Sequence, residues 1–557
     1  MQKIKSVFIT LFLFTCTLIA YAQNAKVTQA GKAVFTLTTF KADGSVLASS
    51  HGVFLSYDGT AAAPLKPFQG AAKAVVVDAN GQTSNVEVIT AFNELYDMCK
   101  FRIKGNAPAV CSIAKTPLAQ GQQAWLIPYS IKKPDIAKAT VRRIEKFNVS
   151  YNFYIFNVNT SMNTVGCPFV NDNGEVVGLL QPSATDDLEK HAAELGFLDT
   201  QKINGLSIND PSLAGCAVRV ALPDDVNQAE LTIMVAKTKY SGQTFKDYVS
   251  DFMKKFPQSA TGYQEMARLS AEDGKLAEAD DYMSRALRNV TSKAEVHSIY
   301  CDLIYRYLIS GKDSTQTRWT FGKALSEAEA AYKLSPDPSY SHQRAQVLYA
   351  EGNYDKAYDI FIDLTKSKMR NPEFFYEAAQ CKTMLKAPQK DIDALIDSCV
   401  TAFPKGTLTA PYYLIRGQIR QSRKQYRDAL ADYNVYDTLM LGRADHSFYY
   451  TRYQAEIEAH WWKQALNDIS HALVLKPDEP TYYACLASLE LMLNRSDEAE
   501  QAARRCVELA GDYADGYIIL GMALIKKGKK ADGVTYLQKA KQLGDSRAQA
   551  LIDKYGV

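Results

Sequence analysis

The chain has 557 residues, 47% hydrophobic and 22% charged, a composition that supports two to four globular domains with ample core. The formal net charge is only +3, and no run of Lys or Arg concentrates it, which argues against nucleic acid or a membrane surface as the partner. At the N-terminus, Lys3 and Lys5 precede an apolar run from Val7 to Tyr21, short for a membrane span, that ends in Ala20-Tyr21-Ala22. This pattern reads as a signal peptide over residues 1–22, with Gln23 first in the mature chain. Cys16 does not read as a lipidation site, because Thr15 is not the small residue wanted before it and the apolar run continues past it. The expectation is a soluble, exported protein, periplasmic or associated with the cell envelope, with no integral membrane segment after cleavage.

Residues 26–222 alternate in strand fashion between turn signals, as in AVFTLTTF, GVFLSYDG, KAVVVDANGQ, NVEVITAF, CKFRI, QQAWLIPYS and NFYIFNV. Closely spaced short strands predict an all-β barrel or sandwich. The polar stretch around His191 reads as a helical insertion. Residues 223–258 predict connecting helices: Phe245, Tyr248, Val249, Phe252 and Met253 share one helical face behind Thr244, a candidate N-cap. Such a helix would cap the exposed apolar edge of the helical half and couple the two halves rigidly.

From residue 259 to 557 the pattern is helix-turn-helix, and the second helix of each unit reads small-x-x-x-large-x-x-small. Instances begin at Ala279, Ala324, Ala357, Ala429, Ala465, Ala499 and Gly533. Ala465 to Ala499 is 34 residues, Ala499 to Gly533 is 34, Ala324 to Ala357 is 33 and Ala429 to Ala465 is 36, whereas 294–323 and 371–404 are irregular. A small residue is needed where two helices cross closely, with a larger one filling the groove beside it. With Leu520-Gly521, Tyr413 and Gly417 in first helices, this half resembles the tetratricopeptide repeat family, with seven to eight repeats. The resemblance implies a superhelix that binds a protein or peptide on a concave face built from first helices. Carried over by phase, His342, Gln346, Gln418, Gln421, Tyr450 and Gln454 stand on that face, with Leu491 and Met492 near its end. The row of Lys, Arg and Asn that clamps a C-terminal carboxylate in some family members is missing.

Three segments of the N-terminal half resemble trypsin-like serine proteases of the Deg/HtrA type. HGVFLSYDGTAAAPLKPFQGA resembles the strand and turn leading to the catalytic His, FNELYDMCKFRI the segment that carries the catalytic Asp, and NTVGCPFVNDNGEVVGLL the nucleophile loop and following hairpin. The resemblance implies a double β-barrel and places the triad on Lys66, Asp97 and Val165. Acyl transfer needs a nucleophile, a base to take its proton and a carboxylate to orient that base. Val165 supplies no nucleophile, Lys66 is charged and a poor base at neutral pH, and Asn163 replaces a Gly beside the oxyanion hole. Cys167 and Thr164 lie off the nucleophile position, and His51 and His191 read as surface or packing residues.

No phosphate-binding loop, dinucleotide motif, zinc motif or Ca²⁺ loop occurs, and seven scattered His give no metal centre, so neither cofactor nor metal is expected. Nine cysteines remain after cleavage, an odd number; one disulfide among Cys99, Cys111, Cys167 and Cys216 is compatible with export, while the five in the helical half read as small buried hydrophobes. The resulting expectation is a trypsin-like double β-barrel followed by an all-α tetratricopeptide superhelix. It is expected to act as a non-catalytic adaptor or scaffold, compatible with an outer-membrane-associated complex. The alternatives are an atypical peptidase with a rebuilt active site and an envelope-stress regulator that senses peptides through the barrel.

Overall fold

The structure is a computed structural model that describes residues 25–148, 150–158, 164–182, 189–311 and 315–556. The expected signal peptide and Asn163 lie outside the described residues. Contacts divide the chain into two compact units, the first ending at Thr291 and the second spanning Ser292–Val557.

In the first unit, β1 (Val34–Phe40), β2 (Val46–Phe54), β3 (Thr60–Ala63), β4 (Lys73–Val77), β5 (Thr83–Asn93) and β6 (Met98–Ile103) close into an antiparallel barrel. β1 pairs with both β2 and β4, and the β5–β6 pairing completes the ring. A second closed barrel comprises β7 (Gln123–Leu126), β8 (Ala137–Phe147), β9 (Tyr151–Asn157), β10 (Pro168–Val170), β11 (Val176–Gln181) and β12 (Glu189–Glu194). Alternation along β1 explains how the barrels meet. Phe35 and Leu37 fill the first barrel with Phe54, Phe68 and Phe101. Val34 joins Val53 and Met98 in a separate apolar layer with Val170, Val176 and Leu179 of the second barrel. Each such fully buried side chain contributes about 2–3 kcal/mol of apolar burial.

Two strands depart from the sequence expectation. His191 lies in β12, paired with β9 and β11, rather than in a helix. β8 escapes a hydropathy reading because Arg142, Arg143, Glu145 and Lys146 are all exposed, leaving only Ala139, Val141 and Phe147 buried. All nine described cysteines are free thiols, and every one except the half-buried Cys485 is buried.

After the barrels, β13 (Arg219–Val220) runs parallel to β5. The helices Val226–Lys239 and Gly242–Lys255 come next. Phe245, Tyr248, Val249 and Phe252 form the buried face, packed with Ile208 and Leu222 of the barrel side. The Tyr248 hydroxyl accepts from the Val220 N–H at 2.9 Å, and Arg219 pairs with Asp251 at 2.6 Å. Ser241, not Thr244, is the N-cap, since the helix opens at Gly242 and Thr244 falls within its first turn. The first helix pair, Ala260–Glu272 with Leu276–Asn289, packs on this helix where Gly262 approaches Met253: an added Cβ would lie 2.4 Å from Met253 Cγ.

The second unit is all helical. Among the described residues it contains seven successive helix pairs and a last helix, Arg547–Tyr555. Ala324, Ala357, Ala429, Ala465 and Ala499 are wholly buried at the intrapair crossings. At Gly521 and Gly533 the two backbones touch: a Cβ on Gly521 would stand 2.8 Å from the Gly533 carbonyl oxygen. Two consecutive pairs add a buried ion pair spaced 36 residues apart. Arg416 binds both oxygens of Asp432 at 2.9 and 2.6 Å, and Arg452 binds those of Asp468 at 2.6 and 2.9 Å. Such bidentate pairs fix the facing helices in register.

One helical turn beyond Arg416 stands a second cation, Arg420, also on Asp432 at 2.8 Å. The equivalent place after Arg452 is Glu456, which is 4% exposed and has one oxygen without a hydrogen-bond partner. Burial first, and then the neighbouring Asp468 carboxylate, push Glu456 up to about 8, against the pull of Arg452. The folded protein therefore holds a proton that the unfolded chain releases, and stability falls as pH rises from the ordinary carboxylate range towards 8. Relative to wild type, Glu456→Gln is expected to gain little at pH 5 and roughly 1–3 kcal/mol by pH 8. Paired chemical melts at the two pH values, read by far-UV circular dichroism, check this.

Candidate functional site

β3 runs through Pro64 and Leu65 into a single 3-10 turn, Lys66–Phe68, with Pro67 fixing its backbone. The turn between β5 and β6 is equally tight. Asn93 Oδ1 accepts from the Tyr96 N–H at 3.1 Å, the Asp97 N–H donates to the Glu94 carbonyl at 3.1 Å, and Asp97 sits at φ 45°. These two turns meet. The Asp97 carboxylate accepts a hydrogen bond from the Lys66 backbone N–H at 2.7 Å. The sequence pairs these residues across 31 positions, and the structure brings them together. The contact, however, is with the Lys66 main chain; the side chain is exposed and makes no ion pair among the described residues.

The third segment approaches from the second barrel. The His51 N–H on β2 donates to the Val165 carbonyl at 3.0 Å, and the Gly166 N–H donates to the Leu180 carbonyl at 2.7 Å. Gly166 has φ 85°, and a Cβ there would stand 2.1 Å from the His51 carbonyl oxygen, so only glycine fits. Val165 is half-buried. Cys167 is wholly buried with Phe169, Leu126 and Phe156 in the core of the second barrel, and burial pushes its thiol up to about 12. Its sulfur is thereby kept protonated and directed into the barrel core. Thr164 is buried as well. The His51 ring takes Thr36 Oγ1 at 3.2 Å on Nδ1 and stacks on Tyr129 with centroids 5.8 Å apart. His191 stands beside Phe153.

A pocket of about 400 Å³ opens over the two joined turns, lined by Leu65, Lys66, Glu94, Tyr96, Asp97 and Gln181 among others. Val165 is not among its lining residues. Gln181 Nε2 donates to the Tyr96 carbonyl. Ser212 in the lining donates its proton to Asp210 at 2.6 Å as part of a helix cap. Among the described residues the pocket thus presents an ammonium, two carboxylates and two amides beside Leu65 and Leu95, a set suited to holding a polar chain segment.

In the helical unit, the six residues carried over by phase divide. His342 Nε2 meets Glu377 at 2.6 Å, and Gln346 Nε2 donates to the other Glu377 oxygen at 3.1 Å, so one carboxylate from the next first helix holds both. Gln418 lines a groove of about 530 Å³ with Tyr349, Tyr376 and Gln380. Tyr450 packs on Tyr482 with centroids 5.0 Å apart, and Gln454 is exposed. Gln421 points elsewhere: its Oε1 accepts from the Tyr433 hydroxyl at 2.6 Å and braces its own helix pair. Gln380 escapes the sequence reading because its stretch, 371–404, lacks the regular spacing.

No family model and no curated protein matches the chain. Among solved structures, it is similar to the Rv3671c protease from M. tuberculosis in its active form, with 15% identity and a TM-score of 0.29. That alignment covers 36% of this chain and 89% of that one. The inactive form of the same protease gives 14% identity and a TM-score of 0.27, covering 33% of this chain and 93% of that one.

The Asp97 carboxylate ties the two turns together through its bond to a backbone amide. Asp97→Ala is therefore expected to destabilise the first unit by about 1–2 kcal/mol. Gly166→Ala should cost more, because the left-handed backbone and the His51 contact both resist a Cβ. Hydrogen–deuterium exchange of the barrel strands in increasing urea, read by mass spectrometry, measures both losses.

Proposed function

We propose that this protein is a non-catalytic adaptor of the cell envelope whose tetratricopeptide-type array grips a protein or peptide partner, while the paired barrels supply a second binding surface. The observation that carries this reading is the state of the protease-like frame. Its two turns are joined through Asp97 and the Lys66 backbone, its nucleophile loop is seated on β2 through Val165 and Gly166, and yet Lys and Val occupy the base and nucleophile positions. Val165 has no group to attack a carbonyl, and a charged Lys66 is a poor base for such an attack. The pocket over Lys66 and Asp97 then serves to bind a chain segment rather than to cut it.

The array offers His342, Gln346, Gln418, Tyr450 and Gln454 for partner contact, with Gln421 as a brace behind them. Among the described residues no helix is long and apolar enough to cross a membrane. Export rests on the signal-like N-terminus, and location in the periplasm or against the outer membrane through a partner rests on export in turn.

The test is affinity purification of the tagged protein from its own envelope after mild cross-linking, beside a variant with Gln418, Tyr450 and Gln454 all changed to Ala. A stoichiometric protein partner that the variant loses is the expected result. A partner retained undiminished by the variant would move the binding site off the array, and recovery of no partner with either protein would overturn the adaptor reading.

A further inference from the structure

The groove beside Gln418 contains a pattern that extends the array reading and rests on it. In three helix pairs a glutamine stands eleven residues before the small residue of the second helix: Gln346 before Ala357, Gln418 before Ala429, and Gln454 before Ala465. The pair between the first two of these lacks the regular spacing. There Gln380 directly follows the buried Ala379, as Gln346 follows the buried Ala345 and Gln418 the buried Gly417. Four consecutive first helices thus carry a glutamine amide at one position.

Three of those helices line one groove: Tyr349 comes from Pro338–Glu351, Tyr376 and Gln380 from Pro372–Met384, and Ile415 and Gln418 from Ala410–Ser422. No Asp, Glu, Lys or Arg is among its lining residues. The side-chain amides of Gln380 and Gln418 make no hydrogen bond among the described residues. Of the outer two, Gln346 is steadied by Glu377 and Gln454 is exposed.

We infer that this amide row reads the backbone of an extended, uncharged peptide segment, with apolar side chains of that segment seated between Tyr349, Tyr376 and Ile415. A carboxamide offers one acceptor and two donors, the complement of a peptide C=O and N–H. First helices packed side by side stand about 10 Å apart. Three residues of extended or polyproline-type chain cover about the same distance, so equivalent backbone groups recur at the step of the row. The described lining residues of the groove carry no charge, which disfavours acidic or basic segments seated between them, whose desolvation would go uncompensated. Recognition of this kind tolerates many sequences while demanding an extended, unblocked backbone.

A displayed library of uncharged peptides, capped at both ends and roughly twelve residues long, would be selected on the full mature protein. The best binder is then compared on wild type, on Gln380→Ala/Gln418→Ala and on Tyr57→Ala, a control outside the array. The expected result is a loss of affinity of about tenfold or more for the double variant, none for the control, and a comparable loss when the peptide's central backbone amides are N-methylated. Superimposable circular dichroism melts of wild type and double variant show that the loss is local. A binder that holds equally to the double variant, or that tolerates N-methylation, overturns the amide row while leaving the adaptor reading to its own partner test. Recovery of no binder from wild type likewise overturns it.

Discussion

Most helix pairs among the described residues depend on a close crossing that only a very small side chain permits. Where Gly521 faces Gly533, the carbonyl of each residue already occupies the space a Cβ would need. In the regularly spaced pairs alanine stands at the second-helix position, with no exposure at Ala357, Ala429 or Ala465. At Gly417 the room a side chain would take is filled by the Tyr433 ring, 2.5 Å from a hypothetical Cβ. Because crossings recur at near-constant spacing, first helices fall side by side, and one helical position becomes a row. The groove of the second unit, its amides and its buried Arg–Asp pairs all arise from that periodicity.

The first unit obeys a related constraint with a different geometry. Two turns and a loop from separate strands are pinned by main-chain bonds: Asp97 to the Lys66 amide, and Val165 and Gly166 to β2 and β11. These bonds need a carboxylate and a glycine but are indifferent to the side chains at 66 and 165. The joined turns and the pocket above them therefore hold together whatever side chains stand at 66 and 165.

Much of this is legible in the sequence, and the exceptions have physical causes. Strong alternation marks most strands, and the small-residue spacing marks the helix pairs, because burial imposes a period directly on composition. β8 hides because its outward positions are filled by long charged side chains that leave little apolar signal. β12 hides because Lys190-His191-Ala192 has no β-branched residue and looks polar. The meeting of Lys66 and Asp97 is implied by segment order, but the identity of the bonded atoms is not, since a carboxylate bound to a backbone amide leaves no mark on residue 66. Gln421 looks like a surface amide in phase with the others, yet it turns to Tyr433 of its paired helix, a side-chain orientation that helical phase does not specify. Gln380 lies in a pair whose longer connection breaks the count.

The central claim is that this chain binds polypeptides without cutting them. The most direct measurement is to incubate purified mature protein with its own envelope proteome and enumerate new peptide N-termini by mass spectrometry, with Asp97→Ala and a protein-free sample alongside. The account predicts the same N-termini in all three samples. New termini that appear with wild type and disappear with Asp97→Ala at a temperature where that variant remains folded would contradict it.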